Sequence, residues 1–386
     1  MTIDYGSAPE NANVQAGGSL SPRSQLVSDF FDHMKAQDVP WVVMNNYDGL
    51  PEIIPSDIDF SIPPKLFYRL DAFICDFAES VGALLVQKLW HGNMKCAYIL
   101  ATGPQAAREF VQLDFFTAFS AKGAPALISH DDLVAGRRAL KNFHVPRPEI
   151  ELVFTAMRRL FKNDWSARHC TRVTELADQI SDADWLPNSY QWMRPTLEAA
   201  RQGDVASVSA RRETNWAQLR KTGRMNLSFG RRLANAALQA KRLAMRLRDE
   251  TGQLVILASP QSSLSVEALD TLELVFHRRV FIDAPGGIGL FCKMALLKRR
   301  KGLIFVLAGS ENPNGNSVAK RAAKLGLADQ ILHSKGMLDT DLKGLGVLES
   351  HFTSDATAIE TIMTIQAAKT ARAVARGGTQ TSGSAR

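Results

Sequence analysis

The sequence has few cysteines and lacks any long apolar run. It has 386 residues, and its four cysteines are scattered along the chain without paired spacing: Cys75, Cys96, Cys170 and Cys292. This scatter argues against a disulfide framework and against a zinc site, and it is typical of a protein in a reducing cytoplasm. No stretch approaches the roughly 20 apolar residues that span a bilayer. Residues 1–21 have no apolar core, so we expect a flexible tail there and no signal peptide.

Positive charge is concentrated in one segment. The net charge is +7, and residues 201–250 contain 12 Lys/Arg and 4 Asp/Glu, which gives +8 for this segment alone. The remainder of the chain is therefore close to neutral. Since the basic excess is local, the high isoelectric point does not indicate nucleic-acid binding, and we do not expect it.

The pattern of apolar residues predicts an α/β fold with a helical middle region. Asp57–Ile62 alternates polar and apolar residues, as a half-buried strand does. Strands alternate with helices from Gln253 onward, which indicates a parallel sheet. The predicted divisions are a flexible tail (1–22), a first α/β domain (23–129), a helical region ending in a basic linker helix (130–250), a second α/β domain (251–375) and a second flexible tail (376–386).

Three aspartates are the strongest candidates for a functional site. Residues i and i+2 of a strand point to the same side, so Asp57 and Asp59 project together. Asp114 lies in a third predicted strand, in the middle of an otherwise apolar run, where a carboxylate needs a partner or a role. Divalent cations such as Mg²⁺ are bound by hard oxygen ligands of this kind. A purely structural alternative is that Asp57 caps a turn, Asp59 is solvated at a strand edge and Asp114 pairs with an arginine.

The order of several short motifs resembles a nucleotidyltransferase-like family. They are the loop Val43-Met-Asn-Asn-Tyr-Asp-Gly-Leu-Pro51, the strand Ser56-Asp-Ile-Asp-Phe60, Gln112-Leu-Asp114, and a helix ending in Arg158-Arg-Leu-Phe-Lys162. The resemblance covers residues 25–180. It implies an α+β nucleotidyltransferase-like domain that uses Mg²⁺ and an NTP. In such a site Asp57 and Asp59 bind the metals that hold the triphosphate, and Asp114 binds the metal that activates the acceptor hydroxyl.

One phosphate-binding feature of that family differs here. About a dozen residues before the paired aspartates the family usually carries Gly-Ser, whereas this chain has Asn45-Asn46. The candidate nucleotide-binding residues are therefore Asn45, Asn46 and Ser56. The resemblance implies a small-molecule or sugar acceptor, and relatives with this layout are suggestive of surface-polysaccharide biosynthesis.

Some relatives carry a thymidylate-kinase-like domain after the helical region, and residues 251–375 weakly resemble it. A working P-loop has the pattern Gly-x4-Gly-Lys-Ser/Thr. This chain has Ala258-Ser-Pro-Gln-Ser-Ser-Leu-Ser265, in which Leu264 replaces the lysine and only Ser265 matches. The resemblance thus implies a pseudokinase-like domain with a degenerate P-loop, and we expect no kinase activity from it.

Two classes of function remain open at this stage. The intact aspartates favour an enzyme, whereas Asn45-Asn46 and the degenerate P-loop favour a non-catalytic binding or scaffold protein that retains both folds. The basic helix also has two interpretations: it binds an anionic membrane surface, or it packs on a neighbouring domain. We expect packing, because Leu233, Ala237, Ala240 and Ala244 form a small, alanine-rich face.

Overall fold

The computed structural model describes residues 20–378, except 93, 122–123, 181–185, 187, 226–227, 259–263, 277, 283–286, 310–311, 335–341 and 343–344. It is a mixed α/β structure with two five-stranded sheets. The predicted fold class is therefore confirmed. In the part of the chain that is described, no helix is both long enough and apolar enough to cross a membrane.

The N-terminal sheet has the strand order β1-β2-β5-β4-β3. Strands β2 and β5 are parallel, and the other neighbouring pairs are antiparallel. Three helices accompany this sheet. In chain order these elements are α1 (Pro22–Lys35), β1 (Val42–Val43), β2 (Ile58–Ser61), α2 (Pro64–Phe67), α3 (Leu70–Ser80), β3 (Leu84–Gly92), β4 (Lys95–Thr102) and β5 (Glu109–Phe116).

The two faces of the N-terminal sheet have different neighbours. On the back face, Phe60 and Phe115 stack on each other and join Phe30 of α1 and Phe77 of α3 in one apolar core. The front face carries Asp59 and Asp114, because residues alternate between the faces of a strand. β2 was predicted to be half-buried, but all of its residues are buried. Its edges pair with β1 and β5, and its faces are covered by the apolar core on one side and by the middle helices on the other.

The middle of the chain is mainly helical and packs on the front face. It begins with two short hairpins, which the sequence pattern did not reveal because their strands are short. Val42 and Phe116 of the N-terminal sheet join the helices in a second apolar core. The elements are β6 (Ala118–Ala121), β7 (Ala124–Ser129), α4 (His130–Val134), β8 (Arg138–Leu140), β9 (Phe143–Val145), α5 (Pro148–Lys162), α6 (Ala167–Ala177), α7 (Arg194–Arg201), α8 (Val205–Ala210) and α9 (Arg212–Met225).

Helix α10 (Phe229–Arg248) is the basic helix expected from the sequence, but its environment differs from the prediction. The alanine-rich face does not pack on a neighbouring domain: Leu233 is 64% exposed, and Ala237, Ala240 and Ala244 are also exposed. The expectation of close packing was therefore wrong. The alanines match a packing interface in size, but the helix is attached through a different side.

The C-terminal sheet is entirely parallel, as predicted, with the order β11-β12-β10-β13-β14. Helices connect the strands or follow them. The elements are β10 (Gln253–Leu257), α11 (Val266–Glu273), β11 (Arg278–Ile282), α12 (Ile288–Lys298), β12 (Gly302–Leu307), α13 (Pro313–Lys324), β13 (Gln330–His333), β14 (Leu348–His351) and α14 (Asp355–Gly378). The parallel arrangement is compatible with a kinase-like fold, which stays a prediction.

The two sheets share an apolar core. Leu89 and Ala97 of the N-terminal sheet belong to the same cluster of buried residues as Val255 and Phe305 of the C-terminal sheet. Polar contacts reinforce this interface. Thr370 of α14 donates a hydrogen bond to the carbonyl oxygen of Val86 at 2.7 Å, and Arg108 makes two 3.0 Å hydrogen bonds to the carboxylate of Glu360.

Candidate metal centre

The three predicted aspartates converge on the front face of the N-terminal sheet. Asp57 directly precedes β2, Asp59 lies within it, and Asp114 is the register partner of Asp59 on the adjacent strand β5. Each of the three offers a carboxylate oxygen, and these oxygens all lie within 4.8 Å of one another. The prediction that the three carboxylates meet is confirmed. The parallel pairing of β2 with β5 explains it, because register partners point to the same face.

Burial differs among the three carboxylates. Asp59 and Asp114 are 2% and 4% exposed, whereas Asp57 is partly exposed. The structural alternative placed Asp59 in solvent at a strand edge, and the burial of Asp59 contradicts that part of it. The cluster is enclosed at the sheet and reachable from solvent on the side of Asp57.

Two cations contact the cluster. The ammonium nitrogen Nζ of Lys95 lies 3.6 Å from Oδ1 of Asp59 and 3.5 Å from Oδ2 of Asp114. The guanidinium of Arg158, on α5, donates to Oδ2 of Asp59 at 2.6 Å. Asp114 also accepts a 2.8 Å hydrogen bond from Nε2 of Gln112. Two positive charges thus offset part of the repulsion among three carboxylates.

The two buried carboxylates respond differently to this environment. Burial alone raises the pKa of Asp59, but Arg158 and Lys95 together outweigh burial and hold the pKa below its usual value. At Asp114 burial dominates: it raises the pKa to about 6, while Lys95 lowers the pKa and the negative charge of Asp59 raises it. Both carboxylates contact Lys95, so Arg158 accounts for the difference. Of the two buried carboxylates, Asp114 is the one whose pKa favours the protonated form.

The candidate nucleotide-binding residues border the cluster. The side-chain oxygen of Asn45 accepts a hydrogen bond from Arg158, and the hydroxyl of Ser56 donates to Oδ1 of Asp57 at 3.1 Å. Asn46 is exposed and has a φ of 52°. Asn45 therefore supports Arg158, whereas Asn46 and Ser56 present polar groups to solvent beside the carboxylates.

Lys95 and Arg158 were not identified as site residues from the sequence. Lys95 lies two residues before Ala97, which is the register partner of Asp114, so strand alternation would have placed Lys95 near Asp114 once the pairing was known. Arg158 is 99 residues away from Asp59 in the chain, and it reaches the site only because α5 packs on the front face. No local pattern indicates such a contact.

The donor set fits a small divalent cation. Mg²⁺ binds oxygens at 2.0–2.1 Å in near-octahedral geometry, so adjacent ligands are about 3 Å apart and opposite ligands about 4.2 Å apart. The present spacing of up to 4.8 Å is slightly wider, and small side-chain rotations would close it. Lys95 lies between two of the three carboxylates and is 35% exposed, so it is able to move out toward solvent.

The predicted degenerate P-loop lies largely outside the described residues, which omit 259–263. Leu264, at the position of the P-loop lysine, is buried in the core shared by the two sheets. The hydroxyl of Ser265 accepts a hydrogen bond from the amide of Ala268 and caps α11. Both residues thus have roles in the fold. Whether this region lost a phosphate site stays a prediction.

Comparison with known proteins gives little guidance. No family model matches the sequence, and no curated protein matches it significantly. A solved structure from H. pylori, described as a proposed nucleotidyltransferase, aligns with 53% of this chain and 95% of its own length, at 12% identity and a TM-score of 0.25. So low a score does not establish a shared fold, and the functional conclusion has to come from the site itself.

Proposed function

We propose that this protein is a Mg²⁺-dependent nucleotidyltransferase-like transferase whose active site is the aspartate cluster. One observation carries the proposal. The carboxylate oxygens of Asp57, Asp59 and Asp114 lie within 4.8 Å of one another, although the residues are up to 57 positions apart in the chain. Burying two carboxylates beside a third is costly unless positive charge is supplied there. Lys95 and Arg158 supply part of it, and a divalent cation would complete the neutralisation.

The three aspartates would hold Mg²⁺, which when bound would neutralise charge on the triphosphate and orient it. The protein's own groups have separate tasks. The carboxylate of Asp114 would take the proton of the acceptor hydroxyl. The hydroxyl oxygen then forms a bond to the α-phosphorus, and the bond to pyrophosphate breaks. Arg158, which donates to Asp59, would stabilise negative charge that develops beside that carboxylate.

The acceptor would be a small molecule or a sugar. This part of the proposal, together with a role in surface-polysaccharide biosynthesis, rests on the family resemblance of residues 25–180.

A non-catalytic binding or scaffold protein is the second candidate, and a specific observation favours it. Lys95 and Arg158 already form ion pairs with the buried carboxylates, and Asn45 is engaged by Arg158. A cluster neutralised in this way can be a structural feature that needs no metal. The two candidates differ in what Lys95 does: in the enzyme it competes with the metal, and in the scaffold it replaces the metal.

Metal titration of the full-length protein tests the proposal. We expect wild type to bind Mn²⁺ in isothermal calorimetry and to release pyrophosphate from at least one NTP in the presence of Mg²⁺. Asp57→Asn should lose both properties. Because Asp57 is partly exposed, this variant should keep its fold. Asp131→Asn, at an exposed position away from the cluster, is the matched control.

Lys95→Met separates the two candidates. If the site is a metal centre, removing the competing ammonium group should tighten Mn²⁺ binding. If the cluster is structural, the variant should bind no Mn²⁺ and lose stability, because buried Asp114 would lose its ion pair with the Lys95 ammonium group. Absence of Mn²⁺ binding by wild type, or equal binding by Asp57→Asn and Asp131→Asn, would overturn the metal centre.

A further inference from the structure

Helix α10 presents an uncovered apolar stripe to solvent. Phe229, Leu233 and Leu243 are 83%, 64% and 56% exposed. Each residue of an α-helix advances by about 100° around the axis. On that spacing these three residues fall within about 80° of one another, and the exposed Ala236 and Ala240 lie between them. The stripe runs from Phe229 to Leu243, which is most of the helix, so it is roughly 21 Å long.

The helix contacts the protein near its C-terminal end, on the side opposite the stripe, while Leu238 on that same side is 43% exposed. The guanidinium of Arg242 donates a 3.0 Å hydrogen bond to the carbonyl oxygen of His91, on the edge strand β3. Arg242 and Met245 are partly buried, unlike the residues of the stripe. Arg242 is two positions from Ala240 and therefore lies about 160° away around the axis. The apolar stripe thus points away from the protein.

Positive charge borders the stripe on both sides. Residues 229–248 contain six Lys/Arg and no Asp/Glu. Around the axis, Lys241 and Arg248 fall on one border and Arg232 falls on the other. An apolar stripe with basic borders is the arrangement by which a helix lies in the plane of a membrane interface, with apolar side chains between acyl chains and cations among anionic headgroups.

We propose that α10 docks this protein on a membrane surface that contains anionic lipid. The proposal goes beyond the transferase activity and does not depend on it. The positive charge beside the apolar stripe determines which partner fits α10. A second copy of the chain would bring two stripes, each bordered by three cations and no carboxylate of its own helix, into contact. Nucleic acid would satisfy the cations but would leave Phe229 and Leu233 exposed to water. An anionic lipid surface satisfies both the basic borders and the apolar stripe.

Vesicle flotation of the full-length protein tests the docking. One set of vesicles is phosphatidylcholine alone, and the other contains 30% phosphatidylglycerol as an ordinary choice of anionic lipid, roughly the range in which such helices bind. We expect wild type to float with the anionic vesicles only, and binding to fall steeply between about 0.05 M and 0.5 M salt as charges are screened.

Two pairs of variants locate the contact. Leu243→Glu should lower partitioning at least about tenfold, whereas Leu325→Glu, at the C-cap of α13 and with the same 56% exposure, should leave it within about twofold. Lys241→Glu changes the charge by two and should lower partitioning roughly 30-fold. Lys324→Glu makes the same change of net charge at an exposed site outside α10 and should have little effect.

Three results would overturn the proposal. The first is failure of wild type to float with anionic vesicles at low salt. The second is equal flotation of Leu243→Glu and Leu325→Glu, which would show that the apolar stripe is not used. The third is a dimer, measured by light scattering, that Leu243→Glu dissociates, because the stripe would then be a contact between two copies. Far-ultraviolet circular dichroism should be unchanged in all four variants, since each replaced side chain is exposed.

Discussion

Replacing Asp114 with asparagine should change the stability of the N-terminal sheet in a pH-dependent way. In the folded protein burial raises the pKa of Asp114 to about 6, above the ordinary value of 3.8. Between these two values the folded chain holds a proton that the unfolded chain has released. The slope of unfolding free energy against pH is therefore negative for this group, and wild type loses stability as pH rises from about 4 to 6. Asparagine does not titrate, so Asp114→Asn escapes this loss.

The size of this loss of stability follows from the folded and unfolded pKa values of Asp114. At pH 5 the raised pKa disfavours the folded state of wild type by a factor of about 15, and at pH 7.5 by a factor of about 150. The difference is tenfold, or about 1.4 kcal/mol. Any effect of the substitution that does not depend on pH, such as a change in side-chain packing, shifts both values equally. The change between the two pH values therefore isolates the titration of Asp114.

Hydrogen exchange measured by mass spectrometry reports the stability of the N-terminal sheet at the level of individual strands. Amides of β4 and β5 that exchange only when the sheet opens report its opening free energy. We expect the ratio of protection factors, Asp114→Asn over wild type, to rise about tenfold between pH 5 and pH 7.5. Peptides from β12, in the C-terminal sheet, serve as the control in the same sample. EDTA should be present throughout, so that a bound cation does not lower the pKa.

Two results would refute the reasoning. A ratio that stays within about twofold at both pH values would show that the pKa of Asp114 is close to its ordinary value. A ratio that falls with pH would show that the charged form of Asp114 is stabilised in the folded protein. In that case Lys95 and the neighbouring dipoles outweigh burial, and Asp114 would be unsuited to accept a proton near neutral pH.

Four other substitutions test features of the fold by denaturant unfolding, with hydrogen exchange to locate the effect. Glu151→Gln should destabilise the middle region by about 3 kcal/mol, because the buried carboxylate accepts hydrogen bonds from two arginines. Lys298→Met should cost less, about 1.5 kcal/mol, because Lys369 still pairs with the two carboxylates that lose Lys298. Gly315→Ala should be more damaging than either, since its Cβ would lie 1.7 Å from the carbonyl oxygen of Leu307. Gly289→Ala, where a Cβ meets nothing within 4 Å, should be neutral or stabilise by up to about 1 kcal/mol. An equal effect of the two glycine substitutions would contradict the packing of α13 on β12.

The sequence predicted the acidic part of the site better than the basic part. Strand alternation is a local rule, and it correctly placed Asp57 and Asp59 on one side of β2 and identified Asp114 in another strand. The positions of Lys95 and Arg158 depend on strand register and helix packing. These are set by contacts between distant segments, so no local pattern carries them. For the same reason the sequence predicted a half-buried β2, although the strand is central and covered on both faces.

The basic helix shows a different limit of sequence analysis. An alanine-rich face such as Leu233, Ala237, Ala240 and Ala244 fits a close helix contact, and it fits a membrane interface as well. The sequence pattern shows which residues share one face of the helix, but not whether that face points to the protein or to solvent. In the structure, the hydrogen bond from Arg242 to His91 fixes the opposite side of the helix against β3, and this determines that the stripe is exposed.

The apolar core that the two sheets share has a consequence for how the protein melts. Because side chains from both halves are buried in one cluster, neither half can unfold without exposing apolar surface of the other. Calorimetry should therefore show strong thermal coupling between them, and a chain cut near residue 250 should leave two aggregation-prone pieces. The C-terminal half would then be needed for the stability of the N-terminal sheet, because it covers apolar side chains of β3 and β4.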